Sequence, residues 1–243
     1  MREPHSPGME TPLLCELHAH SSWSDGELEL GQVVDLYGRR GFDVLCITDH
    51  TVPGGEMITA RNHLAYLEAI REQAARAAVR YGMLVIPGLE LTWDGSEATD
   101  GAHAVAVGLE EFVSVANGID AAIDAASEAG AAIIAAHPHG PRSDPQPGRT
   151  TRRFWADEAL RARVHRFELL NRNQAFEWVA AAGLPAVASG DFHRPEHADT
   201  WKTLIPCAPT VAAVVEYLRS GEPAALTRPG AAAAKPAAVA RAV

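Results

Sequence analysis

Histidine and carboxylate residues recur along this chain at or near the ends of short apolar runs. Six histidines and three carboxylates show this placement: His18, His20, Asp25, His50, Glu90, His103, His137, Asp191 and His193. Imidazole and carboxylate are ligand types that suit zinc, manganese or iron. The set exceeds what one ion needs, so the sequence predicts two or three divalent ions (Zn, Mn or Fe). Two neighbouring ions can clamp the attacking and leaving oxygens of a displacement reaction.

The spacing within these patterns supports a shared site, although each pattern is weak by itself. Residues i and i+2 of an extended strand point to the same side, so His18 and His20 can act together, as can Asp191 and His193. A lone histidine after an apolar run is more often a structural residue, and the repetition at six of seven runs is what favours metal binding. His103 fits less neatly because it lies near the start of its run, which indicates a different strand boundary or a local bend.

Seven apolar runs of strand length alternate with helical patterns in most of the chain. The runs are Leu13–His18, Asp43–Asp49, Leu84–Leu91, Ala102–Leu109, Ala131–His137, Val164–Leu170 and Pro185–Asp191. Runs that are apolar throughout are typical of strands covered on both faces. The alternation predicts a single α/β domain, either a parallel barrel or a doubly wound sheet. In a barrel the carboxyl ends of the strands converge on one face, which would gather the candidate ligands.

Composition sets limits on the function classes. The chain has 243 residues and a net charge of −10, which argues against an extended nucleic acid or an anionic membrane as partner. We find no secretory signal and no apolar run of membrane-spanning length. Three cysteines far apart in sequence fit a reduced cytoplasm. We expect residues 12–228 to form the domain, with a flexible N-terminus at 1–11 and a flexible Ala/Pro-rich tail at 229–243.

Together the motifs resemble the PHP (polymerase and histidinol phosphatase) domain superfamily of metal-dependent phosphoesterases. The motifs follow the family order from residue 13 to about residue 205: His18-Ala19-His20, Ser24-Asp25-Gly26, Ile47-Thr48-Asp49-His50, Gly88-Leu89-Glu90, His103, His137-Pro138 and Asp191-Phe192-His193. The resemblance implies a distorted, TIM-like (β/α)7 barrel with a trinuclear site.

The resemblance also implies how the ligands are divided among the ions. One ion would be held by His18, His20, Glu90 and Asp191. Glu90 would bridge to a second ion held with His103 and His137. The third would be held by Asp25, His50 and His193, with Asp25 standing where some members have histidine.

The implied activity is hydrolysis of phosphate esters by a metal-activated hydroxide. We expect a phosphomonoesterase that acts on a small phosphorylated metabolite, such as a nucleotide or an amino-alcohol or sugar phosphate. Asp25, Glu90 and Asp191 are the ligands to which we assign catalytic roles. Three alternatives stay open: a phosphodiesterase or exonuclease on short nucleic-acid ends, a carboxylic or carbamate ester hydrolase, and, most distant, a non-enzymatic metal-binding module. The sequence leaves the oligomeric state undecided.

Candidate substrate contacts come from a segment that is basic in an otherwise acidic chain. Residues 142–172 hold eight arginines against four acids, and Arg142 and Arg149 are candidates for binding a substrate phosphate. Lys202, shortly after the last ligands, is a further candidate. His139 is either a proton donor to the leaving group or a loop residue. Glu168 and Asn171, near the end of the sixth run, are expected to orient ligands by hydrogen bonds. No insertion between the ligands is long enough to form a cap, so we expect an open site.

Overall fold

The computed structural model describes residues 11–55, 57–97, 99–141 and 151–229. Arg142 and Arg149 lie outside these ranges, so their predicted role in binding phosphate keeps the status of a prediction. Nearly all of the two terminal segments predicted to be flexible also lie outside them.

All seven predicted strands are present, and the described residues contain four further short strands. The strands are β1 (Leu13–Glu16), β2 (Val44–Ile47), β3 (His50–Thr51), β4 (Leu84–Trp93), β5 (Ala102–Val107), β6 (Ala132–Ala136), β7 (Arg166–Asn171), β8 (Gln174–Ala175), β9 (Ala186–Ser189), β10 (Lys202–Ile205) and β11 (Ala225–Thr227). The helices are α1 (Leu30–Arg39), α2 (His63–Tyr81), α3 (Ile119–Glu128), α4 (Arg153–Ala156), α5 (Glu158–Arg161), α6 (Glu177–Ala181) and α7 (Val211–Ser220), with a 3-10 helix at Pro195–Asp199.

The strands form one mixed sheet in the order β11-β10-β1-β2-β4-β5-β6-β7-β8, with β3 paired to β4 and β9 paired to β7. Pairing is parallel between β1 and β2, β2 and β4, β6 and β7, and β7 and β9. Pairing is antiparallel between β4 and β5 and between β5 and β6. The sheet formed by the described residues is therefore mixed and not all parallel. The fold is therefore α/β with a curled, mixed, barrel-like sheet, and it differs from a strict sevenfold strand–helix repeat.

The antiparallel direction of β5 explains the position of His103. Thr92, near the end of β4, pairs with His103, near the start of β5. His103 also pairs with Ala136, the residue before His137. Because β5 runs against both neighbours, its start lies at the same edge of the sheet as their ends.

The sheet curls until the segments that follow β1 and β9 meet. Ala19 and Phe192 form a parallel bridge. The amide of His20 donates to the carbonyl of Phe192 at 2.8 Å, and the amide of Phe192 donates to the carbonyl of His18 at 3.0 Å. This pairing places the His18–His20 segment beside Asp191 and His193.

Helix α2 covers one face of the sheet. Hydrogen bonds of one side chain hold it there, and a glycine caps its C-terminus. Leu67, Ile70 and Ala77 are buried on its inner face at helical spacing. The Tyr66 hydroxyl donates to the carbonyl of Gly88 at 3.1 Å and accepts from the amide of Asp49 at 3.1 Å, which ties the helix to the middle of β4 and to the segment just after β2. The helix ends at Gly82, whose φ of 65° gives the left-handed cap that glycine adopts without strain. Within the described ranges, every helix is too short or too polar to cross a membrane.

Candidate metal centre

All nine predicted ligands lie together at one end of the curled sheet. Among the described residues, three groups bring their ligand atoms within 4.8 Å of one another. The groups are His18, His20 and Glu90; then Glu90, His103 and His137; then His20, Asp25, His50 and His193. Asp191 is close to the first group, with one carboxylate oxygen 3.7 Å from His18 Nε2 and 3.5 Å from His20 Nε2. Their roles as metal ligands stay a prediction.

Glu90 lies at the centre of the cluster and is completely buried. One of its oxygens, Oε2, lies 3.1 Å from His18 Nε2, 3.2 Å from His20 Nε2 and 3.0 Å from His50 Nδ1. The other, Oε1, lies 3.1 Å from His103 Nδ1 and 3.3 Å from His137 Nε2. A carboxylate that faces a different set of imidazoles with each oxygen is arranged as a bridging ligand would be.

His20 supplies a direct test of whether cations fit this site. Its Nε2 is buried yet has no hydrogen-bond partner among the described residues, although a Glu90 oxygen is only 3.2 Å away. A buried polar atom without a partner is costly, so its presence calls for a missing partner. A divalent ion between these imidazole and carboxylate atoms would satisfy the donor set, and the chemistry of that set fits zinc, manganese or iron.

Buried acids and imidazoles hold each other in their charged forms. Burial opposes ionisation of Glu90, but the facing His50 and His18 and hydrogen bonds from His103 and His137 keep its pKa well below the ordinary value. Burial likewise opposes protonation of His103, but hydrogen bonds to Asp94 and Glu90 raise its pKa to about 9. The carboxylates of the cluster thus attract positive charge. In the metal-free protein, protons on the imidazoles supply that charge.

Glu168 orients the ligands from behind, as the sequence predicts. Its Oε1 accepts from Nδ1 of His18 at 2.9 Å, which leaves Nε2 of that ring directed at Glu90 and Asp191. Its Oε2 accepts from the amide of His137 at 2.6 Å and from the side-chain amide of Asn171 at 2.7 Å. A carboxylate behind a ligating imidazole fixes its tautomer and ring orientation.

Lys202 is placed away from the substrate side, which corrects the prediction that it reaches substrate. Its ammonium group is fully buried and lies 3.0 Å from Oε2 of Glu16. It also donates to the carbonyl of His197 and the hydroxyl of Thr200, each at 3.0 Å. Since all three donors of this ammonium have acceptors in the protein interior, Lys202 serves the fold.

Glu16, the partner of Lys202, connects the two segments that meet at the site. Its Oε1 accepts from the amide of Gly190 at 2.8 Å and from the amide of His18 at 3.2 Å. The Glu16–Lys202 pair therefore holds the end of β1 against the end of β9, where His18 and Asp191 begin the ligand set.

A buried aspartate supports the turn that carries Asp25. Asp49 accepts from the amide of Ser21 at 2.8 Å and from the Ser24 hydroxyl at 2.6 Å. This fixes the turn so that Asp25, whose side chain is 44% exposed, lies 3.2 Å from Nε2 of His193. Burial raises the pKa of Asp49. Partial burial also opposes ionisation of Asp25, but the hydrogen bond with His193 and the charges of His50, His193 and His20 together lower its pKa.

Three residues at the strand ends adopt a strained backbone conformation. Among the described residues, the non-glycine residues with positive φ are His137 (29°), Arg172 (52°) and Asp191 (42°). His137 directly follows β6, Arg172 directly follows β7, and Asp191 lies two residues after β9. All three line one cavity in front of the ligand cluster. Such left-handed residues are uncommon and concentrate at functional sites, where they direct a side chain that regular geometry would misplace.

This cavity has a volume of about 630 Å³ and opens in front of the cluster. Arg172 lines it, and the sequence did not single this arginine out. Its guanidinium donates to the carbonyl of Asp191 at 3.1 Å and lies 3.1 Å from an Asp191 carboxylate oxygen. The sequence feature that could have identified Arg172 is its position directly after Asn171, the last residue of a strand that carries orienting residues.

His139 also lines the cavity, but it is arranged as a neutral ring. Burial, followed by the neighbouring His137, lowers its pKa to about 4. Its Nδ1 accepts from the amide of Thr151 at 3.5 Å, so a neutral ring would carry its proton on Nε2. A neutral imidazole is a hydrogen-bond donor and a poor acid near pH 7, and the role of proton donor stays a prediction.

The buried histidines and carboxylates at one end of the curled α/β sheet form groups of the kind that bind divalent metal ions. Residues 16–111 match the family model of the PHP domain. The matched stretch includes six of the nine predicted ligands, from His18 to His103. The recognition made from the motifs is confirmed.

Solved structures show the same fold over most of the chain. A two-domain protein from Bacteroides vulgatus ATCC 8482, containing a predicted PHP-like metal-dependent phosphoesterase, has a TM-score of 0.68 and 22% identity, over 93% of this chain and 68% of that chain. An amidohydrolase from Chromobacterium violaceum, with sulfate bound and no metal, has a TM-score of 0.53 and 19% identity, over 89% of this chain and 98% of that chain. At these identities the likeness establishes the fold. No curated protein matches the chain significantly in sequence.

Proposed function

We propose that this protein is a metal-dependent phosphoesterase, and specifically a phosphomonoesterase on a small phosphorylated metabolite. The observation that carries the proposal is the arrangement around Glu90, whose two oxygens face two separate sets of imidazoles beside an open cavity. The PHP-domain match over residues 16–111 supports the same class of chemistry.

The first step that the residues support is the binding of cations. Glu90 belongs to two of the three ligand groups and His20 to two of them, so neighbouring groups share a residue and ions held by them would be close neighbours. When bound, divalent ions supply a nucleophilic hydroxide at neutral pH and neutralise charge on the phosphoryl oxygens. Glu168 keeps His18 in the tautomer whose Nε2 faces this centre.

Arg172 supports a phosphate as the group bound next to the ions. Its side chain is 38% exposed, so part of the guanidinium fork faces the cavity while the rest is held against Asp191. An arginine fork fixed in this way matches the geometry of phosphate oxygens. Neutral His139, on the same cavity, would donate from Nε2 to a substrate oxygen.

Hydrolysis of three p-nitrophenyl compounds tests the proposal. The protein, loaded in turn with Zn²⁺, Mn²⁺ or Fe²⁺, is assayed with p-nitrophenyl phosphate, bis-p-nitrophenyl phosphate and p-nitrophenyl acetate. We expect the monoester to be hydrolysed fastest, with activity lost on chelation and restored by metal. Faster hydrolysis of the diester would favour a phosphodiesterase, and hydrolysis of the acetate alone would favour a carboxylic ester hydrolase. A fully loaded protein that hydrolyses none of them would be a metal-binding module.

The substitution Arg172→Ala separates phosphate recognition from general catalysis. Because a hydrogen bond to a charged group contributes roughly 1.5–3 kcal/mol, kcat/KM for the phosphate should fall about 10–100-fold. Hydrolysis of the neutral acetate, if detectable, should change little. Arg163→Ala is the matched control, since Arg163 pairs with Asp120 and Asp124 and does not line the cavity. Equal losses on both substrates would show that Arg172 supports the site and not the phosphate.

A further inference from the structure

A second cavity, of about 360 Å³, lies beside the metal cavity and differs from it in chemistry. Phe176 and Trp178 line it, together with Gly140, Pro141, Ala175, Glu177 and Ala181. The metal cavity is lined by imidazoles, carboxylates, amides and the Arg172 guanidinium, whereas this neighbour has one charged side chain, Glu177, and otherwise presents two aromatic rings and small or apolar side chains. An apolar cavity with a few fixed contacts is the usual form of a small-molecule pocket.

The two cavities share a border. The His139 ring lines the metal cavity and contacts the ring of Phe176 edge to face, with centroids 5.2 Å apart. On another side, the hairpin of β7 and β8 contributes Gln174 to the metal cavity and the next residue, Ala175, to the second cavity. The two cavities are therefore neighbours, on either side of the His139–Phe176 ring contact.

The aromatic walls are held in place before any ligand binds. Trp178 Nε1 donates to the carbonyl of Pro138 at 2.6 Å, one residue after His137. The amide of Phe176 donates to the carbonyl of Leu169 at 2.8 Å. At Gly140 an added Cβ would lie only 2.8 Å from Cδ1 of Trp178, so glycine permits the close approach of that ring. Walls fixed in this way lose little conformational entropy on binding.

From this geometry we propose that the second cavity is a specificity subsite for a flat, aromatic group of the substrate, joined by a short linker to the phosphate bound at the metal cavity. The inference rests on the proposed function, because that function places the phosphate. Aromatic groups pack favourably against aromatic side chains in offset and edge-to-face arrangements. The preferred substrates are then phosphate esters that carry a ring near the ester, in preference to purely aliphatic ones.

The test uses two pairs of compounds that differ mainly in the ring. 2-Phenylethylphosphonate and propylphosphonate are non-hydrolysable and report binding to the metal-loaded protein by calorimetry. 2-Phenylethyl phosphate and propyl phosphate have alkyl leaving groups of similar acidity and report turnover. We expect the phenyl compounds to bind about 10-fold more tightly, and the phenyl ester to have a correspondingly higher kcat/KM.

Two alanine substitutions on α6 provide the blocking variant and its control. Ala181 is exposed and lines the second cavity, so Ala181→Phe fills the cavity without disturbing the core. Ala180 is exposed on the same helix and does not line it, so Ala180→Phe is the matched control. Ala181→Phe should reduce the preference for the ring to less than about 2-fold and leave propyl phosphate turnover unchanged, since only the ring's binding energy is removed. Ala180→Phe should keep the preference.

The two proposals fail in different ways. Equal affinity for the two phosphonates in the unsubstituted protein would overturn the subsite, as would a ring preference that survives Ala181→Phe. If both phosphonates bind with the expected preference but neither ester is hydrolysed, the subsite stands as a binding site and the phosphoesterase proposal fails.

Discussion

Strand β7 carries two buried charges only two residues apart, and their surroundings differ. At its start, the buried guanidinium of Arg166 donates to the main-chain carbonyls of Leu218 at 3.0 Å, Tyr217 at 2.7 Å and Glu222 at 2.6 Å. The first two acceptors belong to the last turn of α7, where carbonyls lack partners within the helix, and Glu222 follows that helix. Two residues further along β7, Glu168 holds His18 and the amide of His137 at the edge of the ligand cluster.

The comparison distinguishes a structural charge from a functional one. The Arg166 charge is matched by neutral dipoles in a single arrangement, so nothing is left to bind. The cluster beyond Glu168 contains Glu90, Asp191 and six imidazoles that face one another, with His20 Nε2 left without a hydrogen bond. An arrangement that is complete only with added cations indicates binding, whereas a complete one indicates stability.

The largest effect should come from Glu90→Gln, which removes the charge shared by two ligand groups while nearly preserving shape. Activity on the phosphate monoester should fall by more than about 100-fold, because even residues behind the ligands cost about 10–100-fold. Bound metal should also decrease, and the metal-free variant should melt at a somewhat lower temperature near pH 7, because Glu90 stabilises the protonated His103 ring. Glu110→Gln, which alters a surface pair with Arg71, is the control. A near-normal rate in Glu90→Gln would make Glu90 a structural residue.

A smaller loss is expected for Glu168→Gln, which affects the orientation of ligands and leaves the ligands themselves in place. Glutamine keeps only one acceptor oxygen, and its amide nitrogen donates, so either His18 or the His137 amide loses its acceptor. Metal affinity and kcat/KM should therefore each fall about 10–100-fold. Metal affinity is measured by competition with a chelating dye. Unchanged affinity would show that His18 does not depend on this carboxylate for its orientation.

At the start of β7, Arg166→Met should lower stability and spare the site. Removing three charge-assisted hydrogen bonds while keeping an apolar stem should reduce the free energy of unfolding by about 2–4 kcal/mol. Metal content and kcat/KM should be unchanged below the unfolding transition. Arg71→Met, which removes an exposed pair with Glu110, should cost less than about 1 kcal/mol. A loss of metal in Arg166→Met would mean that the contacts of Arg166 and the ligand cluster are coupled.

The sequence predicted which histidines and carboxylates come together, because the signal is local. A histidine or carboxylate directly after a buried strand, as at His137 and Asp191, is visible without knowing how strands pair. The orienting role of Glu168 was visible for the same reason. The direction of β5 was not visible, because an apolar run has the same composition whichever way it lies, and only the pairing with β4 and β6 explains His103.

Residues whose role depends on side-chain direction were harder to predict. Lys202 and Arg172 both follow or lie near ligand-bearing segments, yet Lys202 points into the interior toward Glu16 and Arg172 lines the cavity. The difference at Arg172 comes from its left-handed backbone, with φ of 52°, which no sequence pattern announces for an arginine.

The smallest effect concerns the pH dependence of the metal-free protein. The pKa of His103 is raised to about 9 and that of His193 to about 10, because carboxylates outweigh the opposing effect of burial. Since unfolded histidine titrates near 6.5, protonation of these rings stabilises the fold fully below about pH 6.5 and is lost as pH rises through about 9–10. The Tm of the metal-free protein should therefore fall by several degrees between pH 7 and pH 10. With metal bound, cations replace the protons and the fall should be smaller; equal falls in both forms would contradict this assignment.

The central claim is that the His/carboxylate cluster is a multinuclear metal centre, and metal stoichiometry tests it most directly. Protein purified without chelators is equilibrated with Zn²⁺ or Mn²⁺, freed of loosely bound ions by gel filtration, and analysed by mass spectrometry of the elements together with its phosphatase rate. The three ligand groups predict at least two ions per chain, with activity rising as the sites fill. Full activity in protein that contains fewer than about one ion per chain would contradict the account, because the same residues would then be hydrolysing phosphate without the ions that they are arranged to hold.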